Sequence, residues 1–227
     1  IRDESESRGL GVVYKRQLVT NSKIWGEMFG TKEMHFLFSD ESTTQFYLDL
    51  EAALARSQSK LNIIPKEAGE KITQAAKVDI IDWKKLEKRT SIVGYPILPL
   101  VEQLSEKVEG NFGQFCHWGA TTQDIMDTAD ILQIRKGLEL LSKDLKSISD
   151  ALEKIVEYHI KTPMAGRTHL QHALPISFGY KASTWLSGID RHHKRLEEIK
   201  KRIFNVSFFG AAGTLASLGE DLSLIHI

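Results

Sequence analysis

Two stretches of the chain concentrate side chains that can donate hydrogen bonds or transfer protons. Residues 117–124 read His-Trp-Gly-Ala-Thr-Thr-Gln-Asp, and residues 163–175 read Pro-Met-Ala-Gly-Arg-Thr-His-Leu-Gln-His-Ala-Leu-Pro. Imidazole, hydroxyl, amide and guanidinium groups are donors that can hold a small anion such as a carboxylate. Gly and Pro interrupt helices, so both stretches are expected between helices, where sites in helical proteins are often built.

Two interpretations of residues 117–124 stay open. Thr121 or Thr122 can cap the following helix, and Gln123 or Asp124 in its first turn can accept the reciprocal hydrogen bond of a capping box. Capping explains only two of the five polar residues, and His117 is not among them. Together with the free backbone N–H groups of a helix start, the whole set has the composition of an anion-binding site.

Other chemistries fit these residues less well. His169 and His172 invite a zinc interpretation, but they lack the i, i+4 spacing of helical ligands and have no third ligand nearby, so we predict neither metal nor cofactor. Cys116 is the only cysteine. It is expected to be a buried, unreactive thiol, and a chain with no possible internal disulfide suits a reducing compartment, so we predict a cytoplasmic protein.

Composition excludes several classes of protein. The chain has 227 residues, of which 41% are hydrophobic and 26% charged, and 30 basic residues balance 30 acidic ones. This is the composition of a soluble globular protein with no net field to attract nucleic acid or an anionic membrane. No run of 18 apolar residues occurs, and the basic run at 191–202 contains glutamates at i, i+4 spacing, which indicates a solvated helix face. We therefore predict no nucleic-acid or membrane partner.

The elements that must position the two polar stretches are helices. Short helices are predicted from Asp40 to Leu61, from Pro65 to about Lys77, from Asp82 to Arg89 and, after a break at Pro96 and Pro99, from Leu100 to Val108. A long helix from about Gln123 to Ile160 then carries an apolar seam that steps by 4 and 3 residues. The seam consists of Ile134, Leu138, Leu141, Leu145, Ile148, Leu152, Ile155 and His159.

A second long helix, which Pro175 is expected to open, repeats this stepping as far as Ile203. We predict an all-α fold, with an N-terminal helical domain at 18–110 and the first part of a long-helix bundle at 111–221. The bundle needs helices from further chain or from other subunits, so the chain is expected to be truncated at its C-terminus. Residues 1–17 and 222–227 are predicted to be non-native ends, and an isolated coiled-coil stalk remains an alternative.

Four segments in this order resemble the fumarase/aspartase superfamily. The chain is most similar to its branch of 3-carboxy-cis,cis-muconate cycloisomerase and adenylosuccinate lyase. The segments are Phe38-Ser39-Asp40-Glu41 with Leu50-Glu51-Ala52-Ala53-Leu54-Ala55, residues 117–124 with Asp127-Thr128-Ala129, residues 166–173 with Pro175, and Gly210-Ala211-Ala212-Gly213-Thr214-Leu215-Ala216. The Thr121-Thr122 block leans towards the cycloisomerase, whose bacterial members tend to carry Trp at the position of His169. Adenylosuccinate lyases carry His-Asp at the position of Tyr95-Pro96. The resemblance therefore does not decide between the substrates of the two enzymes.

The resemblance implies a lyase or cycloisomerase that acts on a dicarboxylate. Such enzymes remove a proton next to a carboxylate and then eliminate a group, or run the related intramolecular addition. His169 would be the catalytic residue. The residues that would bind the substrate are His117, Thr121, Thr122, Thr168, Gln171 and Arg167.

The resemblance also implies an assembly that this chain does not complete. The family's general base is a serine in a Gly-Ser-Ser loop, a motif that is absent from these residues, and its sites are shared between subunits of a homotetramer. The 227-residue chain alone is therefore expected to be inactive. A non-catalytic helical-bundle protein that only mediates oligomerisation remains the alternative from another class.

Overall fold

The computed structural model describes residues 24–215 and Leu218, and within them it is mostly helical. The prediction of an all-α fold with long bundle helices is confirmed. The predicted non-native ends, 1–17 and 222–227, lie outside the described residues. The helices are α1 (Lys32–Leu37), α2 (Asp40–Lys60), α3 (Lys66–Ala75), α4 (Trp83–Val93), α5 (Ile97–Lys107), α6 (Thr122–Tyr158) and α7 (Phe178–Ile203), and two strands, β1 (Pro163–Thr168) and β2 (Gln171–Ser177), lie between the last two.

The chain divides into two compact units. One contains the described residues up to Gln133 together with those from Val206 onwards, and the other runs from Ile134 to Asn205. Helix α6 contributes its first turns to the first unit and its remainder to the second. The first unit therefore holds residues 117–124 and the second holds residues 163–175.

The core of the first unit lies among helices α2 to α5. Its fully buried apolar side chains include Leu48, Ile72, Ile97, Leu100 and Leu104. Burying each contributes about 1.5–3 kcal/mol relative to leaving it exposed. Helices α2 and α3 approach closely at Gly69, where an added Cβ would stand 2.2 Å from Ser59 Oγ. This core holds the buried face of α2 in place, and one residue of the candidate site described below lies on that face.

Local capping explains where the helices begin. The side chains of Ser39 and Asp82 accept hydrogen bonds from backbone N–H groups in the first turns of α2 and α4. Pro65 was predicted as the first residue of α3, and it is instead the residue before the helix, which begins at Lys66. Pro99 does not interrupt a helix, contrary to the prediction. It occupies the third position of α5, where a backbone N–H would have no partner within the helix.

The second unit combines the remainder of α6 with α7 and a two-stranded antiparallel hairpin. Seven of the eight seam residues lie on α6, and His159 follows its last residue. None of the eight is buried, and Ile134, Leu141 and Ile148 are 38%, 46% and 46% exposed. Pro175 does not open α7, as had been predicted, but lies in β2 opposite Ala165. Helix α7 instead begins after Ser177, whose hydroxyl accepts a hydrogen bond from Tyr180 N at 3.1 Å.

Among the helices described within residues 24–215, none is both long enough and apolar enough to cross a membrane.

Candidate active site

Asp124 organises the polar stretch at the start of α6. Its side chain is buried, and Oδ2 accepts a hydrogen bond from Thr121 N at 3.0 Å. This is the reciprocal half of a capping box, in which the residue at the third helical position reaches back to the cap. The capping interpretation is therefore correct for Asp124, and it leaves His117 and the two threonine hydroxyls for another role.

Asp124 also ties a distant segment to the helix start. Its Oδ1 accepts a hydrogen bond from Phe209 N at 2.9 Å, and its Oδ2 accepts one from Gly210 N at 3.0 Å. One turn later, Thr128 Oγ1 accepts from Ser207 N at 3.1 Å. Residues 207–210 are consequently held against the first two turns of α6, which the sequence analysis did not foresee.

Gly210 fits this position because of its backbone. Its φ is +70°, and an added Cβ would lie 3.1 Å from Gly119 O. The left-handed conformation costs a residue with a Cβ about 1–2 kcal/mol. Gly210 thus allows the loop to contact the chain just before Thr121.

We expect Gly210→Ala to lower the free energy of unfolding by more than Gly213→Ala does. Both glycines have a positive φ, +70° and +72°, but Gly213 has no atom within 4 Å of an added Cβ. The strain of about 1–2 kcal/mol is common to both variants, so only Gly210→Ala adds the contact with Gly119 O. Urea unfolding of both variants measures the difference. Equal losses in the free energy of unfolding would show that the loop moves away from Gly119 O without a loss of stability.

His117 lies just before the helix start and is paired with an acid. Its Nδ1 is 2.6 Å from Glu51 Oε1, and Glu51 is 1% exposed on the buried face of α2. Burial works against the charged imidazole, but the Glu51 hydrogen bond and charge, helped by Asp124, outweigh it and raise the pKa of His117 above its ordinary value. His117 also has a φ of +58°, which non-glycine residues rarely adopt.

Cys116 is unsuited to act as a nucleophile. Burial, with a smaller contribution from the Glu51 charge, raises the pKa of its thiol to about 12. Only the thiolate is nucleophilic, so this thiol is inert near neutral pH. The lack of reactivity agrees with the expectation from sequence, although Cys116 is half-buried rather than buried.

Thr121 and Thr122 are half-buried at the same helix start. Their hydroxyls make no hydrogen bond to any residue that the structure describes, whereas Thr128 two turns on is fully engaged. A half-buried hydroxyl that neither caps the helix nor bonds to the fold is available to a ligand. Within the first unit, His117, Thr121 and Thr122 therefore lie on one short segment, 117–122.

The other predicted site residues lie together at the tip of the hairpin in the second unit. Thr168 pairs with Gln171, and Arg167 pairs with His172, so His169 and Leu170 form the two-residue turn. Leu170 has a φ of +58° and is 91% exposed. Arg167, Thr168, His169 and Gln171 are all exposed, so the hairpin presents an imidazole, a hydroxyl, an amide and a guanidinium at one end.

Glu51 is the member of the site that sequence reasoning missed. A signal was present, because Glu51 falls at helical spacing among Leu48, Ala52 and Ala55, all of which are buried. A carboxylate on the apolar face of a helix needs a partner. Across residues 24–215, no cluster of three or more His, Cys, Asp or Glu side chains is arranged to hold a metal ion.

Comparison with known proteins adds independent evidence. A family model described as "Lyase" matches residues 22–225. Among solved structures, a fumarate lyase from Mesorhizobium sp. BNC1 is 55% identical with a TM-score of 0.81, and the match covers 85% of this chain and 45% of that one.

Curated relatives carry several different activities in their names. Trans-aconitate decarboxylase 1 of Mycosarcoma maydis is 45% identical over 200 residues, which are 88% of this chain and 41% of that protein. Adenylosuccinate lyase of Methanocaldococcus jannaschii is 38% identical, covering 87% and 43%. The 3-carboxy-cis,cis-muconate cycloisomerase of Pseudomonas aeruginosa is 37% identical, covering 89% and 45%. The chain thus spans less than half the length of each of these relatives.

Proposed function

Since the chain belongs to the lyase family of the fumarase/aspartase superfamily, we propose that the full-length protein is an enzyme acting on a small substrate with two or more carboxylates. The reaction removes a proton next to a carboxylate and then eliminates a group from the neighbouring carbon, or runs the related intramolecular addition. The observation that carries this proposal is the start of α6, where Thr121 and Thr122 offer half-buried hydroxyls beside the paired His117.

The chemistry explains why such a group of donors is needed. Removing the proton places additional negative charge on a carboxylate that is already anionic, so donors must be in position before the reaction. The hydroxyls of Thr121 and Thr122 and the imidazole of His117 would hold one carboxylate of the substrate. Backbone N–H groups at the helix start reinforce this preference for an anion.

The hairpin tip would supply the second set of groups. His169 would protonate the leaving group or polarise the substrate, because an imidazole exchanges protons near neutral pH. Thr168 and Gln171 would donate hydrogen bonds, and Arg167 would add a positive charge. All four project from a two-stranded hairpin whose register keeps Thr168 and Gln171 opposite each other.

The complete site would be assembled from several copies of the chain. We propose a homotetramer, supported by the apolar seam of α6, whose Ile134, Leu141 and Ile148 are more than one-third exposed. The general base would be a serine that lies outside these 227 residues. The 227-residue chain alone would then be inactive, because it supplies neither that serine nor the complete set of helices.

The substrate is proposed to be most like that of 3-carboxy-cis,cis-muconate cycloisomerase, with adenylosuccinate as the alternative. The relatives' names support a class rather than one compound, since carboxymuconate and trans-aconitate are both unsaturated acids with three carboxylates. A site that begins with three donors on one segment, His117, Thr121 and Thr122, suits such a multiply charged acid.

A substrate screen tests the proposal. The full-length protein is incubated with carboxymuconate lactone, adenylosuccinate, argininosuccinate and trans-aconitate, and the change in ultraviolet absorbance of the unsaturated acid is followed. We expect turnover of one of them and none by the 227-residue chain. Absence of turnover of every compound by the full-length protein, with a helical oligomer still formed, would favour the non-catalytic bundle protein instead. Turnover by the 227-residue chain would contradict the shared site.

A further inference from the structure

The pairing of Glu51 with His117 is a buried contact that neither capping nor core packing requires. Glu51 lies on α2, 66 residues before His117, and its Oε1 is 2.6 Å from His117 Nδ1. The Glu51 side chain is 0% exposed, whereas that of His117 is 20% exposed. A carboxylate withdrawn from water loses several kcal/mol of solvation, so it persists only where a partner compensates.

The geometry assigns one role to each ring nitrogen of His117. A carboxylate accepts hydrogen bonds, so Nδ1 carries a proton and donates a hydrogen bond to Glu51 Oε1. In the neutral ring, Nε2 is then a lone pair, which repels a substrate carboxylate. In the charged ring, Nε2 is a donor that attracts one. The protonation state of His117 therefore decides whether this residue helps or hinders anion binding.

We propose that Glu51 is a positioning residue that keeps His117 in its charged form, with Nε2–H free to bind a substrate carboxylate. This inference rests on the proposed function and adds a residue that the sequence interpretation did not include. The groups that face His117 are Glu51 from α2 and Asp124 from α6, with the thiol of Cys116 next in the chain. Asp124 already accepts three backbone hydrogen bonds, which leaves Glu51 as the direct partner.

A second observation supports a role for Glu51 beyond charge balance. Its other oxygen, Oε2, is buried and has no hydrogen-bond partner among the residues described. A fold that only needed to fill this space would do so with an apolar side chain, because an unpaired buried oxygen is costly. Retaining the carboxylate is favourable if its charge acts on the imidazole.

The sign of the pH effect follows from the direction of the shift. The pKa of His117 is raised by Glu51, so the charged ring and its affinity for an anion are present at low pH and are lost as the pH rises through that pKa. Glu51→Gln removes the carboxylate charge while preserving side-chain volume, so His117 should lose its own charge, and its affinity for an anion, at a lower pH. Glu51→Asp retains the charge and should leave the midpoint closer to that of the wild type. Asp49→Asn removes one charge from the exposed face of the same helix and is the matched control.

The test uses the full-length protein with ¹⁵N-labelled histidine, whose NMR spectra report the tautomer and the titration of each ring. His117→Gln identifies the His117 signal among those of the other histidines. We expect the wild-type His117 to carry its proton on Nδ1 when neutral, and to titrate at lower pH in Glu51→Gln but not in Asp49→Asn. Fumarate is the binding probe, and its affinity for Glu51→Gln should fall about tenfold at a pH between the two midpoints.

Four possible outcomes decide between the inference and its alternatives. An unchanged His117 midpoint in Glu51→Gln, or the Nε2–H tautomer in the neutral wild type, would overturn the inference. The tautomer measurement does not require Glu51→Gln to fold. Fumarate affinity with the same pH dependence in the wild type and Glu51→Gln would also overturn it. If the titration and fumarate affinity shift as expected while no substrate in the screen is turned over, the proposed reaction fails and the assignment of Glu51 stands.

Discussion

Replacing His169 by alanine in the full-length protein is expected to lower kcat by about 10²- to 10⁴-fold, the usual contribution of a general acid or base. The residue lies in the two-residue turn between β1 and β2, where its side chain is exposed. The substitution therefore removes the proposed proton-transfer group without opening a cavity in the fold. Steady-state turnover of the substrate found in the screen measures the effect.

His172→Ala is the matched control for this prediction. His172 lies on the same hairpin, opposite Arg167, and is equally exposed. Its loss should change kcat by less than about threefold, since its imidazole has no assigned proton transfer and an exposed substitution rarely alters stability by more than about 0.5 kcal/mol. An unchanged rate in His169→Ala, or equal losses in both variants, would remove His169 from the catalytic role.

Replacing Asp124 by alanine is expected to have the largest effect on stability. Asp124 accepts hydrogen bonds from the backbone N–H groups of Thr121, Phe209 and Gly210, at 2.9–3.0 Å. Its removal leaves three donors without their acceptor, each worth about 1–3 kcal/mol when it stays buried. We expect the free energy of unfolding to fall by about 3 kcal/mol or more, with a corresponding loss of substrate binding at the start of α6.

Asp127→Ala, one turn later on the same helix, provides the comparison. Asp127 is half-buried and accepts one hydrogen bond, from the exposed side chain of Gln123. Urea unfolding of the full-length protein should place the midpoint of Asp127→Ala near that of the wild type and the midpoint of Asp124→Ala well below it. Equal midpoints for the two variants would show that residues 207–210 do not depend on the Asp124 carboxylate.

Periodicity allowed the long helices to be predicted well. The apolar stepping of 4 and 3 residues indicates α6 from Gln123 to Ile160, and the helix runs from Thr122 to Tyr158. The starts of α2 and α4 were predicted at Asp40 and Asp82, and the structure shows Ser39 and Asp82 as the capping residues of these helices. Such signals are local, because a helix is determined by contacts within one or two turns.

The hairpin could not be predicted in this way. Residues 163–177 lack the alternation of a half-buried strand, since most of the segment is exposed and an irregularity between Ala165 and Arg167 shifts the register. The turn also places Leu170 at a φ of +58°, a conformation that Gly or Asn usually signals. Pro175 was consequently interpreted as the start of a helix, although it lies in β2.

Interactions between segments that are distant in sequence were also not predicted. Glu51 meets His117 across 66 residues, and Asp124 meets Gly210 across 86. No pattern within either segment determines such a partner. The candidate site residues themselves were predicted from residue type and resemblance. The structure adds their surroundings: Glu51 is paired with His117, Asp124 accepts a hydrogen bond from Thr121 N, and His169 lies in a hairpin turn.

A crystal structure of the full-length oligomer with fumarate bound would show whether the start of α6 and the hairpin tip form one site. We predict that one cavity, formed by neighbouring copies, is lined by Thr121, Thr168 and His169, and that His117 or one of the helix-start threonines contacts a carboxylate of fumarate. An oligomer in which Thr121, Thr168 and His169 line no common cavity, or in which fumarate binds elsewhere, would contradict it.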